Sequence, residues 1–409
     1  MLFCATFLLS CSSSKDGLSV LLPLEPVVGP QPTLSIQQNE LILGNQRMDV
    51  YLPFLSDAKV ALVVNQTSFI DDTHLVDTLL ELGVQIEKIF ALEHGYRGQA
   101  ANGEVVDDSI DPITGLEIVS LYGKHKKPTA ADLDGIDYVV FDIQDVGVRF
   151  YTYISSMHYI MEACGKEGVG FIILDRPNPN GHYFDGPVLE GDYMSFVGKH
   201  EIPVVHGLTV GELAWMINDM EWTTHRCELF IVPCLNYDHN TLFQIPIKPS
   251  PNLPNMASIY LYPSLCFFEG TVVSVGRGTD SPFQRFGHPY LSVKQDSFVP
   301  APNIGSKYPK LEGQLCFGQS FDDFSSFDLQ NHKLDLSYML DVYESFPEQD
   351  SFFLANNFFD LLAGNKTLRN QIKDHCSIEE IEASWKKDLA KYAAIRKRFL
   401  IYPDFTSTN

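Results

Sequence analysis

Long apolar runs are missing from this chain. Nowhere do its 409 residues hold the roughly 18 consecutive apolar residues that suggest a membrane-spanning helix, although 45% of them are apolar. Positive charge is also scarce. Twenty-nine Lys and Arg stand against 52 Asp and Glu, a formal charge of −23. Such a balance argues against nucleic acid as a partner, because binding its phosphates takes a basic footprint. An anionic small molecule would likewise need locally placed arginines, since the overall field repels it. Eight cysteines occur without a C-x-x-C pair, which argues against structural zinc. H-E-x-x-H and H-x-H are absent, and the spacings of His94, His125, His182, His206 and His288 fit no common metal site. Neither a G-x-G-x-x-G after the first strand nor a P-loop is present, so no nucleotide or other cofactor is expected. No internal repeat is visible.

What is there begins with "MLFCATFLLSCSSSKDG". A short apolar stretch ends in Leu-Leu-Ser-Cys, which resembles a bacterial lipoprotein signal over residues 1–11, with Cys11 as the lipidated residue. The lysine or arginine usual before such a stretch is lacking. Residues 12–35 read as a Pro-, Ser- and Gly-rich tether. These features imply a protein of the cell envelope, touching the membrane through its lipid anchor only, by default on the periplasmic face of an outer membrane. Of the six later cysteines (Cys164, Cys227, Cys234, Cys266, Cys316 and Cys376), several lie in apolar runs and read as buried thiols. A Cys227–Cys234 bridge stays open in an oxidising compartment.

From residue 36 onward, apolar strands alternate with amphipathic helices. Strands are expected at 59–66, 86–95, 115–123, 135–147, 169–179 and 227–235. Helices are expected at 74–83, 151–168 and 209–220, the last opened by Thr209 with Glu212 three residues on, a capping box. Near-continuous apolar strands in a βαβα rhythm predict an α/β fold whose parallel sheet is covered on both faces. Proline-rich 246–263 marks the boundary between a Rossmann-like domain (36–255) and a smaller α/β C-terminal domain (256–409). Helices at 337–346 and 377–400 belong to the second domain. Sites in such sheets lie beyond the strands' carboxyl ends. Glu93, Asp142, Asp145 and Asp175 all fall there.

Four stretches carry chemistry-bearing residues. "EHGYRG" offers Glu93 as a general acid, with His94 and Arg97 beside it; a surface ion pair is the plain alternative. "FDIQDVGVRFYTY" places Asp142, Gln144 and Asp145 before Arg149, Tyr151 and Tyr153. Carboxylates beside aromatic rings suit a sugar, whose faces stack on rings and whose hydroxyls donate to carboxylates; a helix start with core tyrosines is the alternative. "DRPNPNGHYFDGPVLEG" is a long polar loop offering Asp175, Asn178, Asn180 and Glu190, or ordinary turn chemistry. "SVGRGTDSPF" flanks Arg277 with glycines and suits a carboxylate clamp, or a plain turn.

Taken in order, "EHGYRG", "DIQDVGVRFYTY", "DRPNPNG", "VVHGLTVGELA" and "FEGTVVSVGRGTD" resemble the exo-β-N-acetylmuramidases of the NamZ type, over roughly residues 40–400. The resemblance implies a Rossmann-like domain and a smaller C-terminal domain with the active site in the cleft between them. It implies release of terminal non-reducing N-acetylmuramic acid from peptidoglycan fragments, MurNAc-GlcNAc saccharides among them. It puts the catalytic glutamate of the E-H-G motif at Glu93. The family more often shows alanine where Val148 stands, and an acid and a small residue near Gln284 and His288. On this reading Asp145 or Glu190 is the second catalytic carboxylate, with Asp142 also a candidate. His94, Arg97, Asp142, Arg149, Tyr151, Asn178, His206 and Arg277 then bind substrate. The carboxylate spacing would set the outcome: about 5–5.5 Å for retention, about 6.5–9.5 Å for inversion. A muropeptide-binding lipoprotein without activity and a metal-dependent hydrolase are the competing readings.

Overall fold

The computed structural model describes residues 18–20, 40–93, 95–96, 108–329 and 333–406. The signal, Cys11, His94 and Arg97 lie outside that set, as does most of the tether.

The framework is an eight-stranded sheet. Its strands are β1 (Leu18–Val20), β2 (Lys59–Val64), β3 (Gln85–Ala91), β4 (Ser109–Ile110), β5 (Glu117–Ser120), β6 (Tyr138–Asp142), β7 (Gly170–Leu174) and β8 (Leu229–Val232). In space they run β1-β8-β7-β6-β2-β3-β5-β4. All pairings are parallel except β4 against β5. One expectation is corrected here. Leu18–Val20 falls inside the stretch read as tether, yet its backbone pairs with Leu229–Ile231 as an edge strand. An exposed parallel edge offers unpaired backbone groups that any short extended segment can satisfy.

Helices cover both faces, as the apolar strands required. On one side α1 (Met48–Leu55) and α2 (Leu75–Glu81) pack with Val60, Leu62 and Val64. On the other, α3 (Tyr153–Glu167) and α4 (Val210–Asp219) pack with Ala61 and Val63. Successive residues of β2 thus serve opposite cores, the period-2 consequence of a strand. The expected capping box of α4 is made: the Thr209 N–H donates to Glu212 Oε2 at 2.9 Å, and the Glu212 N–H to Thr209 Oγ1 at 3.2 Å.

The proline-rich boundary holds a surprise. Residues 256–265 form a buried helix, α5 (Met256–Leu265), with Pro263 inside it. Proline lacks the N–H that would satisfy the carbonyl four residues back. That carbonyl, on Ile259, instead accepts from Asn180 Nδ2 at 3.4 Å. Beyond α5 come α6 (Ser337–Ser345), α7 (Phe358–Ala363), α8 (Thr367–Lys373) and α9 (Ile378–Arg396). A small antiparallel sheet joins β9 (Arg285–His288), β10 (Asp296–Phe298) and β11 (Cys316–Ser320), with β11 central. The apolar core of the α3–α4 face runs on without a break into this second part through Phe267, Phe352 and Phe359. The two parts are therefore welded by a shared core rather than hinged on a linker.

The six later cysteines are free, five of them buried. No Cys227–Cys234 bridge forms, because strand β8 separates them. An extended run of that length spans on the order of 20 Å, far beyond the roughly 7 Å between Cα atoms that a bridge tolerates.

Candidate active site

Strand β3 ends at Ala91, and two residues later the chain presents Glu93, half-buried. Its carboxylate accepts two hydroxyl hydrogen bonds. Tyr122, just beyond β5, donates to Oε1 at 2.9 Å, and Thr152, at the start of α3, donates to Oε2 at 2.9 Å. The Tyr153 hydroxyl donates to the Glu93 backbone carbonyl at 3.2 Å, which fixes the turn itself. Burial, then the Glu93 charge, push the Tyr122 phenol far above its ordinary value, so it stays a donor.

These groups line a cavity of about 240 Å³ whose walls come from both parts of the chain. The Rossmann-like part contributes Glu93, Tyr122, Phe150–Tyr153 and the Phe196–Val197 turn. The C-terminal part contributes Tyr262, Glu269, Arg277, Phe283, Phe358 and Leu362. Arg277 grips Glu269 side-on, Nε to Oε1 at 2.6 Å and Nη2 to Oε2 at 2.8 Å, with Phe283 beneath its guanidinium at 4.9 Å. Burial alone would push Glu269 up, but Arg277 and then Lys310 hold its carboxyl below the usual range. Burial would lower Arg277, and Glu269 reverses that. The pair is therefore a fixed anion and a fixed cation in one wall. Behind it, the Lys310 ammonium gathers the backbone carbonyls of Phe268, Glu269, Thr271 and Val273.

The structure brings together four of the residues singled out from sequence: Glu93, Tyr151, Tyr153 and Arg277 all line this cavity. Tyr151 spends its hydroxyl on the Pro249 carbonyl at 2.9 Å and leaves its ring as wall. The other described candidates do not line it. Asp142 is fully buried and bound by Arg176 (2.6 and 3.0 Å) and Asn45 (3.1 Å). It sits at the β6 end beside β2, where the strand order reverses and a ligand crevice would open; these internal partners fill that position. Asp175 is consumed likewise, accepting from Tyr402, Thr209, Gly211 and Arg176. Asp145 accepts the Gly147 N–H at 2.6 Å and faces His206 Nε2 at 3.7 Å. His206 is wholly buried, and its Nδ1 accepts from Leu208 N. Asn178 donates to the Leu208 carbonyl and packs on Gly147, where any Cβ would collide with it at 2.1 Å.

Arg149, expected to touch substrate, touches only the protein. It is 0% exposed and donates to four carbonyls: Pro187 and Ile202 on one side, Leu362 and Ala363 of α7 on the other. Glu190 is exposed on a separate, larger cavity of about 600 Å³ beside α8 and α9, away from Glu93. Neither Asp142, Asp145 nor Glu190 shares the Glu93 cavity. The carboxylate that does, Glu269, was not singled out from sequence. Its signal was the acid of "FEG" eight residues before Arg277, which nothing local marks as a partner. Tyr122 and Thr152 were missed too, because their link to Glu93 spans 29 and 59 residues.

With this geometry in hand, similarity to known proteins is informative. Residues 60–257 match the family model described as exo-beta-N-acetylmuramidase NamZ, N-terminal, and residues 260–402 match its C-terminal counterpart. The peptidoglycan beta-N-acetylmuramidase NamZ of Bacillus subtilis (strain 168) is 39% identical over 344 residues, which cover 80% of this chain and 82% of that protein. A crystal structure of a DUF1343 family protein from Bacteroides fragilis superposes with a TM-score of 0.83 at 42% identity, covering 89% of this chain and 99% of the other. A second from the same organism gives 0.75 at 28% identity, covering 88% and 99%.

Proposed function

Because this chain belongs to the NamZ exo-beta-N-acetylmuramidase family, we propose that it hydrolyses the terminal, non-reducing N-acetylmuramic acid from peptidoglycan fragments, with Glu93 as general acid. One observation carries the reading. A carboxyl group held by two hydroxyls stands in a cavity of about 240 Å³, below the usual span for drug-sized ligands and suited to a single sugar ring. A site that admits one ring acts at chain ends.

Glu93 delivers its proton to the departing glycosidic oxygen as the bond from that oxygen to C1 breaks. Water then adds at C1, and its proton passes to solvent or back to the Glu93 carboxylate, giving free N-acetylmuramic acid. Tyr122 and Thr152 hold the carboxyl in place, and their hydroxyls stabilise the carboxylate that proton transfer leaves behind. Glu269 takes the place that Asp145 or Glu190 was expected to fill. Held ionised by Arg277, it is suited to offset the positive charge that develops on the sugar ring rather than to exchange a proton. Arg277 has N–H groups to spare beyond the two given to Glu269, and these suit the lactyl carboxylate of the substrate. Aromatic walls from Tyr151, Phe150 and Phe283 face the apolar side of the ring.

The test is incubation of purified protein with MurNAc-GlcNAc, with free N-acetylmuramic acid measured as product, alongside a folded Glu93→Gln variant. Release by the wild type and its loss in the variant support the proposal. Saturable binding without release would make the protein a muropeptide-binding one. Release that chelator abolishes would point to a metal-dependent hydrolase.

A further inference from the structure

At the mouth of the Glu93 cavity the chain builds a feature that the hydrolytic step does not use. The turn around Ser195–Gly198 closes on itself through paired backbone hydrogen bonds and carries Phe196 at its tip. Gly198 permits this close approach, since a Cβ there would lie 2.6 Å from Leu189 Cδ1. The Phe196 ring stacks on Tyr159 of α3, centroids 6.4 Å apart and planes 12° from parallel. It meets Tyr122 at 6.5 Å. Lys126 Nζ lies 4.0 Å from the Phe196 centroid, and Lys199 Nζ lies 4.9 Å from that of Tyr159. Neither ammonium has a carboxylate partner among the described residues, whereas neighbouring Lys127 is neutralised by Glu162 at 2.6 Å. All four side chains are half-buried, with surface left to solvent. Tyr122 and Phe196 themselves line the cavity, so this platform is continuous with it.

Two things mark the platform as a recognition surface. Aromatic rings that keep part of their surface to solvent at a cavity mouth are suited to the apolar C–H surface of a pyranose. Two ammonium groups without a carboxylate partner among the described residues, in a chain of net charge −23, are suited to draw an acidic ligand against a repulsive overall field. Cation–π contact holds each ammonium in place without consuming its N–H donors.

We propose that Phe196, Tyr159, Lys126 and Lys199 form the subsite for the saccharide on the reducing-end side of the scissile bond. The rings stack on the sugar that follows the terminal residue, and the lysines favour fragments with a carboxylate further along. The inference rests on the hydrolytic reading of the Glu93 cavity and extends it from the sugar released to the chain it is released from.

The experiment compares three substrates: methyl β-N-acetylmuramide, MurNAc-GlcNAc, and the trisaccharide MurNAc-GlcNAc-MurNAc, whose third sugar carries a carboxylate. Phe196→Ala is expected to raise KM at least fivefold more for the disaccharide than for the methyl glycoside. The double variant Lys126→Gln/Lys199→Gln is expected to raise KM about tenfold for the trisaccharide in low salt, and less than twofold for the disaccharide. Equal effects of Phe196→Ala on methyl glycoside and disaccharide would overturn the stacking role. Equal effects of the lysine variant on disaccharide and trisaccharide would overturn the charge role. Calorimetric titration of Glu93→Gln, with and without the platform substitutions, reads the same differences without turnover. Failure of the hydrolytic reading, seen as no release by wild type, is thus separable from failure of the platform. Absence of any affinity gain from monosaccharide to trisaccharide in Glu93→Gln would sink the platform outright.

Discussion

Replacing Arg149 with methionine should weaken the fold and leave substrate affinity alone. The guanidinium is wholly enclosed, and it donates to four carbonyls at 2.7–2.8 Å. Two acceptors, Pro187 and Ile202, belong to the Rossmann-like part, and two, Leu362 and Ala363, end α7 in the C-terminal part. Burial lowers its pKa to about 9, so it remains a cation at neutral pH. The protein backbone approaches so closely that Gly364, at φ +79°, could take a Cβ only 2.9 Å from Nη2. Charge-assisted hydrogen bonds contribute roughly 1.5–3 kcal/mol each, but simple addition overcounts. Removing the cation also removes the cost of burying it, several kcal/mol. Stranding four buried carbonyls, at roughly 1–3 kcal/mol each, outweighs that relief and leaves a net loss of a few kcal/mol. Methionine fills the volume but offers no donor, whereas Arg149→Lys keeps a charge and should fall between. Urea unfolding followed by Trp fluorescence would measure the midpoint shift, and steady-state kinetics on MurNAc-GlcNAc would measure KM. An unchanged midpoint together with a tenfold or greater rise in KM would refute this account and return Arg149 to the substrate.

Three further outcomes follow from the same structure. Glu269→Gln should leave the fold near native but lower kcat by about 10–100-fold, as expected when a charge matched to the transition state is lost; an unchanged kcat would remove Glu269 from the chemistry. Asp175→Asn should cost roughly 3 kcal/mol in urea unfolding, because the amide turns an N–H toward donors from Thr209, Gly211, Tyr402 and Arg176; a shift below 1 kcal/mol would contradict that. Stability should also fall on acidification. Burial, then Lys199, lowers His158 to about 4, and burial drives its partner His200, 3.1 Å away, well below its ordinary value. The unfolded chain therefore takes up protons first, and stability held above about pH 6.5 is lost as pH falls toward 4, by about 3 kcal/mol for His158. His158→Asn should flatten the difference in urea midpoint between pH 7 and pH 4.5, and an undiminished slope would show that other groups carry it.

How far the fold was legible shows in single elements. Val60 to Val64 had to lie in a doubly covered sheet, since no position in the run is polar. Thr209 and Glu212 announced the start of α4, because a capping box is local chemistry. The helix at 256–265 was hidden because four prolines crowd residues 246–254 before it and a fifth lies inside it; its rescue by Asn180 comes from 79 residues away. The same divide runs through the site. Glu93 stood out as an acid at the end of an apolar strand. Asp142 and Asp145 stood out on the same grounds, yet their partners are internal. Arg149 and Arg277 look alike in sequence, each a cation in a glycine-bearing stretch. One is sealed among carbonyls and the other lines the cavity.

By itself the sequence determined the α/β class, the alternation of the main strands and helices between residues 59 and 235, and several of the residues able to do acid chemistry. These follow from periodicity, capping and residue type, which act over a few positions along the chain. Only the tertiary structure decided which of those residues share a cavity. It paired Glu93 with Tyr122 and Thr152, brought Glu269 and Arg277 into the wall of the same cavity, and sealed Arg149 and Asp142 away. The reason is physical. A carboxylate's role depends on the donors and charges within a few ångströms of it, and here those neighbours arrive from strands and helices far apart along the chain.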